Sequence, residues 1–245
     1  MGKIYVVGIG PGNRENMTEA CLSYLNAADI IVGYTGYLEF VRPVFPDKEY
    51  YGTGMMQEKE RCVKAIELAG GGKNICVVSS GDSGVYGMAG LIFELVGDTP
   101  TIDIDIEVIP GVTAALSGAA LLGSPLTNDF AVISLSDLLT PWEIIERRLR
   151  SAAEGDFAIC LYNPGSKKRI EQLRIACDIL LEQVPESRLC GIARNIGRQD
   201  QSIKLLLLGE LRQTQVDMTT TIFIGNSQTK QIGGRMVTPR GYRDV

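Results

Sequence analysis

Two glycine-rich segments, each directly after a short apolar run, are the parts of this chain best suited to ligand binding. The first is Gly8-Ile9-Gly10-Pro11-Gly12, and the second is Ser80-Gly81-Asp82-Ser83-Gly84-Val85-Tyr86-Gly87. Glycine has no Cβ, so it lets the backbone approach a ligand closely and adopt angles that other residues avoid. Ligands of open α/β sheets bind beyond the carboxyl ends of the strands. The two segments therefore predict a ligand site at one edge of a sheet.

The first glycine-rich segment does not fit a dinucleotide site. The third glycine of that pattern falls at Asn13, and Asp29 precedes the second strand instead of closing it. Pro11 also removes an N–H group that a pyrophosphate would use. A P-loop is excluded because no Gly-Lys-Ser or Gly-Lys-Thr occurs at the required spacing.

The chain has 245 residues and no histidine. It therefore lacks the usual general base, the commonest zinc ligand and every serine–histidine or cysteine–histidine pair. The cysteines are far apart, without a Cys-x-x-Cys pair, and are expected to be small buried thiols. They are Cys21, Cys62, Cys76, Cys160, Cys177 and Cys190.

The net charge and the hydropathy of the chain limit the classes of molecule that it is expected to bind. A net charge of −5 disfavours nucleic acid, which needs a basic stripe. No apolar run approaches the roughly 18 residues needed to span a bilayer, and no secretory signal is evident, so a cytoplasmic protein is expected. The basic clusters Lys167-Lys168-Arg169 and Arg235, Arg240, Arg243 are either solvated or bind a polycarboxylate.

Strands alternate with helices along the first part of the chain, which predicts a mostly parallel sheet in residues 1–124. The expected strands are 3–8, 30–32, 75–79 and 104–109. The expected helices are 17–28, 57 to the glycine triplet 70–72, 86–96 and 112–122.

A hinge at Gly123–Asn128 separates these elements from a second α/β domain, residues 125–245. Strands are expected at 130–135, 157–162, 188–194, 202–208, 219–225 and 235–237, with helices at 141–152 and 167–182, the latter capped by Ser166. Late strands without intervening helices indicate a mixed sheet. The fold class is therefore two α/β domains, with a cleft expected between them.

The motifs together resemble a known family over nearly the whole chain. They are Gly8–Gly12, Ser80–Gly87, Pro110-Gly111-Val112-Thr113-Ala114, Tyr162-Asn163-Pro164 and Thr219–Gly225. Their order is similar to that in the tetrapyrrole (corrin/porphyrin) methyltransferases. Further segments resemble the precorrin-3B or cobalt-factor III C17-methyltransferases of cobalamin synthesis. These are Gly33–Leu38, Thr53–Met55 with Glu60–Cys62, Ser134–Trp142, Arg194–Arg198 and Thr238–Tyr242.

The resemblance implies a class III methyltransferase fold, a homodimer, a tetrapyrrole substrate and S-adenosylmethionine as methyl donor. It places cofactor contacts, mostly through backbone groups, at Pro11, Ser80, Gly81, Asp82, Thr113, Ala114, Tyr162, Asn163, Asn195 and Thr220. Three segments that include or adjoin these residues can equally have only a structural role. Pro110-Gly111 and Tyr162-Asn163-Pro164 can each be a turn, and Thr219–Thr221 can be an ordinary strand of β-branched residues. Asp82 has little core role between two glycines, so its loss is expected to weaken cofactor binding and leave the fold intact.

Methyl transfer to a nucleophilic ring carbon needs positioning and water exclusion more than a strong acid or base. The ring contraction that accompanies it in the C17 family needs proton movements. Candidate groups are Asp82, Tyr86, Ser136 and Asp137, and none is assigned as catalytic. Arg194 and Arg198 are candidate partners of substrate carboxylates, because a guanidinium holds a carboxylate with two parallel hydrogen bonds.

Two other functions stay open from sequence. One is a related methyltransferase acting at another ring position, or on a target such as diphthamide or ribosomal RNA. The other, of a different class, is a non-catalytic tetrapyrrole-binding protein.

Overall fold

The computed structural model describes residues 2–98, 104–166 and 169–242. The chain forms two compact units, Met1–Ala114 and Ala115–Val245. The first unit ends at Ala114, within the helix predicted from the sequence over residues 112–122, so most of that helix belongs to the second unit.

The first unit contains a five-stranded sheet in which every pair of neighbouring strands is parallel. Its strand order is β3-β2-β4-β1-β5. The elements are β1 Lys3–Gly8, α1 Glu19–Ala27, β2 Ile30–Tyr34, α2 Thr35–Val41, β3 Glu49–Thr53, α3 Glu58–Gly70, β4 Ile75–Ser79, α4 Ala89–Gly97 and β5 Asp105–Ile109.

Helices cover both faces of this sheet, as parallel sheets require. Alternate residues of β1 and β4 enter different cores. Val6 and Val77 pack with α3 and α4, whereas Val7 and Val78 pack with α1 and α2. The Thr18 side chain caps α1 by accepting a hydrogen bond from the Cys21 N–H.

Adjacent strands β1 and β4 send the chain to opposite faces of the sheet. The chain leaves β1 for α1 on one face and leaves β4 for α4 on the other. Such a switch point opens a crevice beyond the carboxyl ends of the two strands, where ligands of α/β sheets bind. Both glycine-rich segments follow these two strands.

The second unit contains a mixed five-stranded sheet, order β10-β9-β11-β8-β7, and a small sheet, order β12-β13-β6. Its elements are α5 Ala114–Leu122, β6 Gly123–Ser124, β7 Phe130–Ser134, α6 Trp142–Glu154, β8 Ala158–Tyr162, α7 Gln172–Leu181, β9 Leu189–Arg194, β10 Ser202–Leu207, α8 Leu208–Leu211, β11 Thr220–Ile224, β12 Lys230–Ile232 and β13 Arg235–Val237. β7 and β8 are parallel, whereas β11 is antiparallel to both β8 and β9. The predicted mixed sheet is confirmed.

Two layers cover the main sheet of the second unit. Residues of α6, α7 and α8 share one core with Ile222 and Ile224 of β11. Phe223 points to the opposite face, where α5 approaches closely. A Cβ on Gly118 would lie 2.8 Å from the Phe223 ring, so glycine at that position sets the helix-to-sheet distance.

Several element boundaries differ from the sequence analysis. The helix expected from Tyr86 begins at Ala89, because Tyr86 has a left-handed φ of 54° that no helix accommodates. The helix expected from Lys167 begins at Gln172, and the Ser166 Oγ accepts a hydrogen bond from the Arg169 N–H in the turn before it. Lys167 and Lys168 lie outside the described residues, as does Arg243 of the second basic cluster.

The expected hinge is partly ordered strand, since Gly123–Ser124 pairs with β13. All six cysteines are buried and unpaired, as predicted. Within the described ranges, no helix combines the length and apolar character that crossing a membrane requires.

Candidate active site

The glycine-rich strand ends of the first unit pack backbone against backbone. A Cβ on Gly8 would lie 2.7 Å from both the Gly111 nitrogen and the Gly81 oxygen. A Cβ on Gly111 would lie 2.6 Å from the Gly8 carbonyl and closer still to the Gly81 oxygen. These glycines are thus required by contact between the three strand ends themselves.

A pair of backbone hydrogen bonds joins the two glycine-rich segments. The Gly10 N–H donates to the Gly81 oxygen at 3.0 Å, and the Gly81 N–H donates to the Gly10 oxygen at 2.8 Å. Both glycines have left-handed φ angles, 73° and 68°, which explains their identity. Pro11 follows as a buried residue. This bridge forms a rigid backbone floor at the β1–β4 switch point.

Asp82 ties the second segment to the turn after β5. One carboxylate oxygen accepts from the Gly84 N–H at 2.8 Å, and the other accepts from the Gly111 N–H at 2.9 Å. The half-buried Ser80 lies just before this bridge, and Thr113 approaches Gly81, with its Cα 3.6 Å from the place of an added Cβ. In the structure, therefore, Ser80, Asp82 and Thr113 lie close to Gly81. The Asp82 carboxylate has a structural role, because it joins the second glycine-rich segment to the turn after β5.

Tyr162 and Asn163 follow β8 in the second unit. The Tyr162 hydroxyl accepts a hydrogen bond from the Ala115 N–H at 2.7 Å, which satisfies a backbone donor in the first turn of α5. Asn163 has a left-handed φ of 52°, and its amide donates to the Ser134 hydroxyl at 2.9 Å. Both residues fix the ends of β7, β8 and α5 relative to each other.

Asn195 and Thr220 lie at the same edge of this sheet, because β11 runs antiparallel to β9. The buried Asn195 has a φ of 52° and donates to the Asp200 carboxylate at 2.6 Å. The Thr220 hydroxyl donates to the Asp217 carboxylate at 2.9 Å. Thr220 pairs directly with Arg194 across the two strands.

Asp217 is a central residue of this edge that sequence reasoning missed. Its carboxylate accepts hydrogen bonds from Thr219 and from Arg194, in addition to the one from Thr220. The signal in the sequence is an aspartate two residues before Thr219, a spacing typical of a side chain that closes a turn on its own backbone.

The charge of Asp217 is stabilised by these donors. Desolvation would raise the pKa of its carboxyl, but hydrogen bonds from Thr219, Arg194 and Thr220 outweigh it and lower the pKa to about 2. Arg194 is thereby held by a carboxylate of the protein itself, 2.8 Å away, while about 46% of its side chain stays exposed. A pocket of about 280 Å³ at this place is lined by Ile192, Arg194, Gln215, Val216, Asp217 and Thr220.

We expect Asp217→Asn to reduce stability above about pH 4 and to have little effect near pH 2. The folded-state pKa is depressed to about 2, below the ordinary unfolded value of about 3.9, so the carboxylate stabilises the fold above the unfolded pKa. That contribution is lost as pH falls through the folded pKa. The urea midpoints of the wild type and the variant, compared between pH 2 and 7, measure this contribution. A difference between the two midpoints that does not change with pH would contradict the assignment.

The remaining candidates for proton movement lie at strand ends of either unit. In the first, Tyr86 is 54% exposed in the loop after β4. In the second, the Ser136 N–H donates to the Ser134 hydroxyl, and exposed Asp137 accepts from Gln172 at 3.4 Å. Cysteine nucleophiles are excluded by burial, which raises the pKa of Cys62 to about 11 and those of Cys21 and Cys177 to about 12.

The chain is similar to curated proteins over nearly its full length. It is 46% identical to the probable cobalt-factor III C(17)-methyltransferase of Salmonella typhimurium, over 97% of this chain and 98% of that protein. It is 44% identical to the protein of the same name from Methanocaldococcus jannaschii, over 98% of each. It is 40% identical to the precorrin-3B C(17)-methyltransferase of a Sinorhizobium species, over 98% of this chain and 97% of that protein.

Solved structures agree in fold. The crystal structure of the methyltransferase CobJ superposes with a TM-score of 0.91 at 38% identity, covering 98% of this chain and all of that one. A uroporphyrin-III C-methyltransferase from Thermus thermophilus, complexed with S-adenosylhomocysteine, gives a TM-score of 0.71 at 21% identity over 91% of this chain and 97% of that one, which supports the fold alone.

The family model of the tetrapyrrole (corrin/porphyrin) methylases matches residues 3–212, a span that includes both glycine-rich segments and the segments after β8 and β9, but not Asp217 or Thr220. The chain therefore belongs to the tetrapyrrole (corrin/porphyrin) methylase family.

Proposed function

We propose that this protein is an S-adenosylmethionine-dependent methyltransferase of cobalamin biosynthesis. Its substrate is a precorrin or cobalt-precorrin, methylated at C17 with contraction of the ring. The observation that carries the proposal is near-full-length similarity at 40–46% identity to proteins named for this reaction. The segments Thr53–Met55 and Ser134–Trp142, which resemble the C17-methyltransferases, lie within this similarity and agree with it.

Residues of the first unit suit a ligand held by backbone groups. The Gly10–Gly81 bridge brings the β1 and β4 segments together at a switch point without large side chains between them. We assign S-adenosylmethionine contacts there to Pro11, Ser80, Gly81, Asp82, Thr113 and Ala114. In the second unit we assign contacts to Tyr162, Asn163, Asn195 and Thr220, whose loops are held by left-handed asparagines at positions 163 and 195.

When bound, S-adenosylmethionine supplies an electrophilic methyl group on a sulfonium. The chain's own residues orient the reactants and keep water out, which suits a protein without histidine. Rigid strand ends serve this purpose, because misplacement of the reacting atoms by about 1 Å can cost about 100-fold in rate. The hydrogen bonds of Asp82, Tyr162 and Asn195 provide that rigidity.

Incubation with methyl-labelled S-adenosylmethionine and cobalt-factor III or precorrin-3B tests the proposal. The expected product gains one methyl group at C17, and its ring has lost one meso carbon, as read by mass and nuclear magnetic resonance. Methylation at another ring position would favour a different member of the family. Binding of tetrapyrrole without any binding of S-adenosylmethionine would favour a non-catalytic carrier.

Arg194 and Arg198 are proposed to hold substrate carboxylates, since a net acidic protein must bind a polycarboxylate through local positive groups. Arg194 is exposed although it pairs with Asp217, and Arg198 is half-buried in the next loop. We expect the double alanine variant to raise the tetrapyrrole Michaelis constant more than tenfold, about 1.4 kcal/mol, with little change in S-adenosylmethionine affinity. The Asp217→Asn variant is the control for loss of the ion pair. An unchanged Michaelis constant for the tetrapyrrole would mean that the substrate carboxylates bind to other residues.

We further propose that the protein is cytoplasmic, and that it is a homodimer, as the family resemblance implies. Light scattering at micromolar concentration measures its mass. We expect twice the 26.6 kDa of one chain, and a monomer mass would contradict the assembly.

A further inference from the structure

Arg61 is a buried cation of the first unit, outside the residues assigned to S-adenosylmethionine and to the substrate carboxylates. It lies on α3, its side chain is only 4% exposed, and its carboxylate partner Glu58 is 3.8 Å away and 41% exposed. Burying a guanidinium is costly, and replacing buried charged groups by apolar side chains often leaves stability unchanged or raises it. Stability alone is therefore a poor explanation for a cation at this position.

The guanidinium of Arg61 contacts residues at or beyond the carboxyl ends of three neighbouring strands, β3, β2 and β4. Its Nε donates to the Thr53 hydroxyl at 2.8 Å and its Nη2 to the Gly54 oxygen at 2.7 Å, which fixes the end of β3. Its Cζ lies 5.9 Å from the centre of the Tyr34 ring, at the end of β2. Its Nη1 lies 3.9 Å from the Met88 sulfur, beyond β4. One side chain thus connects three segments at the ligand edge of the sheet.

Met88 fixes the far end of the second glycine-rich segment, Ser80–Gly87. It directly precedes α4, and its N–H donates to the Ser79 hydroxyl at 3.2 Å. The backbone bridge between the two glycine-rich segments holds the other end. The segment proposed to bind S-adenosylmethionine is therefore fixed at both ends, and Arg61 contacts the residue that fixes the second.

We propose that Arg61 is a positioning residue of the S-adenosylmethionine site. Its guanidinium holds Met88, and through Met88 the far end of the Ser80–Gly87 segment, in the place that methyl transfer requires. The inference rests on the proposed function and adds a residue outside the assigned contacts. A guanidinium is planar and directs its N–H groups in fixed directions, so one side chain can position the end of β3 and Met88 at the same time.

Arg61→Met and Arg61→Lys test the inference by calorimetric titration with S-adenosylmethionine. We expect Arg61→Met to raise the dissociation constant about tenfold, equivalent to about 1.4 kcal/mol. Turnover of cobalt-factor III at saturation should fall by about tenfold or more, because small misplacements of the reacting atoms are costly. Arg61→Lys keeps the charge without the planar fork, so its dissociation constant should lie between those of Arg61→Met and the wild type.

Ile66→Ala is the matched control for a loss of stability. Ile66 is a buried core residue of the same helix, so its truncation lowers the melting temperature without removing any partner of the guanidinium. We expect its dissociation constant for S-adenosylmethionine to stay within about twofold of the wild-type value. A tenfold increase in this variant as well would mean that lost stability explains the effect of Arg61, and the inference would be wrong.

Met88→Leu tests the proposed connection, because it keeps most of the side-chain volume and removes the sulfur. If Arg61 acts through Met88, this substitution should raise the dissociation constant about threefold in the wild type and leave it unchanged in Arg61→Met. The same increase in both backgrounds would mean that the two residues act separately. No increase in the wild type would mean that the sulfur has no part in the site. Either result would overturn the inference.

A dissociation constant within about twofold of wild type in Arg61→Met would also overturn it. If neither Arg61 variant shows a cooperative urea transition, the arginine is structural and the inference is wrong. Affinity for S-adenosylmethionine separates this inference from the reaction. If the wild type binds S-adenosylmethionine but methylates neither cobalt-factor III nor precorrin-3B, the reaction assignment fails, and weaker binding by the variants still supports the positioning role. If the wild type does not bind S-adenosylmethionine, both proposals fail.

Discussion

Gly111→Ala is expected to destabilise the first unit by about 3 kcal/mol or more and to abolish S-adenosylmethionine binding. The new Cβ would lie 2.6 Å from the Gly8 carbonyl and still closer to the Gly81 oxygen. These neighbours are backbone atoms of three strand ends, so no side-chain rotation can relieve the overlap. Overpacking of a rigid site typically lowers the free energy of unfolding by about 1–3 kcal/mol. Because this overlap is with backbone atoms, we expect a loss at or above the upper end of that range.

Urea unfolding and calorimetric titration with S-adenosylmethionine measure both effects. Gly90→Ala is the matched control, because no atom lies within 4 Å of the Cβ it would add on α4. That variant should be as stable as the wild type or more stable by up to about 1 kcal/mol, because alanine has the higher helix propensity. Wild-type stability and affinity in Gly111→Ala would mean that the three strand ends are not packed against each other in solution.

Asp82→Ala is expected to raise the dissociation constant for S-adenosylmethionine at least tenfold and to destabilise the fold by about 1–3 kcal/mol. Its carboxylate bonds to the N–H groups of Gly84 and Gly111, and the second of these is half-buried. Removing the acceptor leaves that donor unpaired. The structure thus changes the expectation from sequence alone, which was a loss of affinity with the fold intact.

The same two measurements test Asp82, with the exposed Asp47→Ala as a control for loss of one negative charge. Surface substitutions of that kind change stability by about 0.5 kcal/mol or less. An unchanged dissociation constant in Asp82→Ala would remove the residue from the proposed cofactor site. Lost affinity at wild-type stability would mean that the carboxylate acts on the ligand and that its contact with Gly111 contributes little.

The local pattern of apolar residues and glycines in the sequence was sufficient to predict most helices and strands of the first unit. The apolar runs at 3–8 and 75–79 coincide with β1 and β4, and the glycine triplet 70–72 lies where α3 ends. Strand β3 was missed because Glu49-Tyr50-Tyr51-Gly52-Thr53 is an edge strand with exposed positions and no buried apolar run. Helix α2 was missed because seven residues with Gly36 near the start give almost no periodic signal.

The sequence by itself determined which residue types stand at the strand ends and which chemistry is absent. Glycines after β1 and β4 and the lack of histidine are visible without coordinates. Only the tertiary structure decided what those residues do. Asp82 bonds to Gly111, 29 residues away, and Asp217 bonds to Arg194, 23 residues away. Strand order and register determine these partners, because they bring segments that are distant in sequence to one edge of a sheet. The periodicity of apolar residues along the chain does not specify strand order, so it cannot predict which residues become partners.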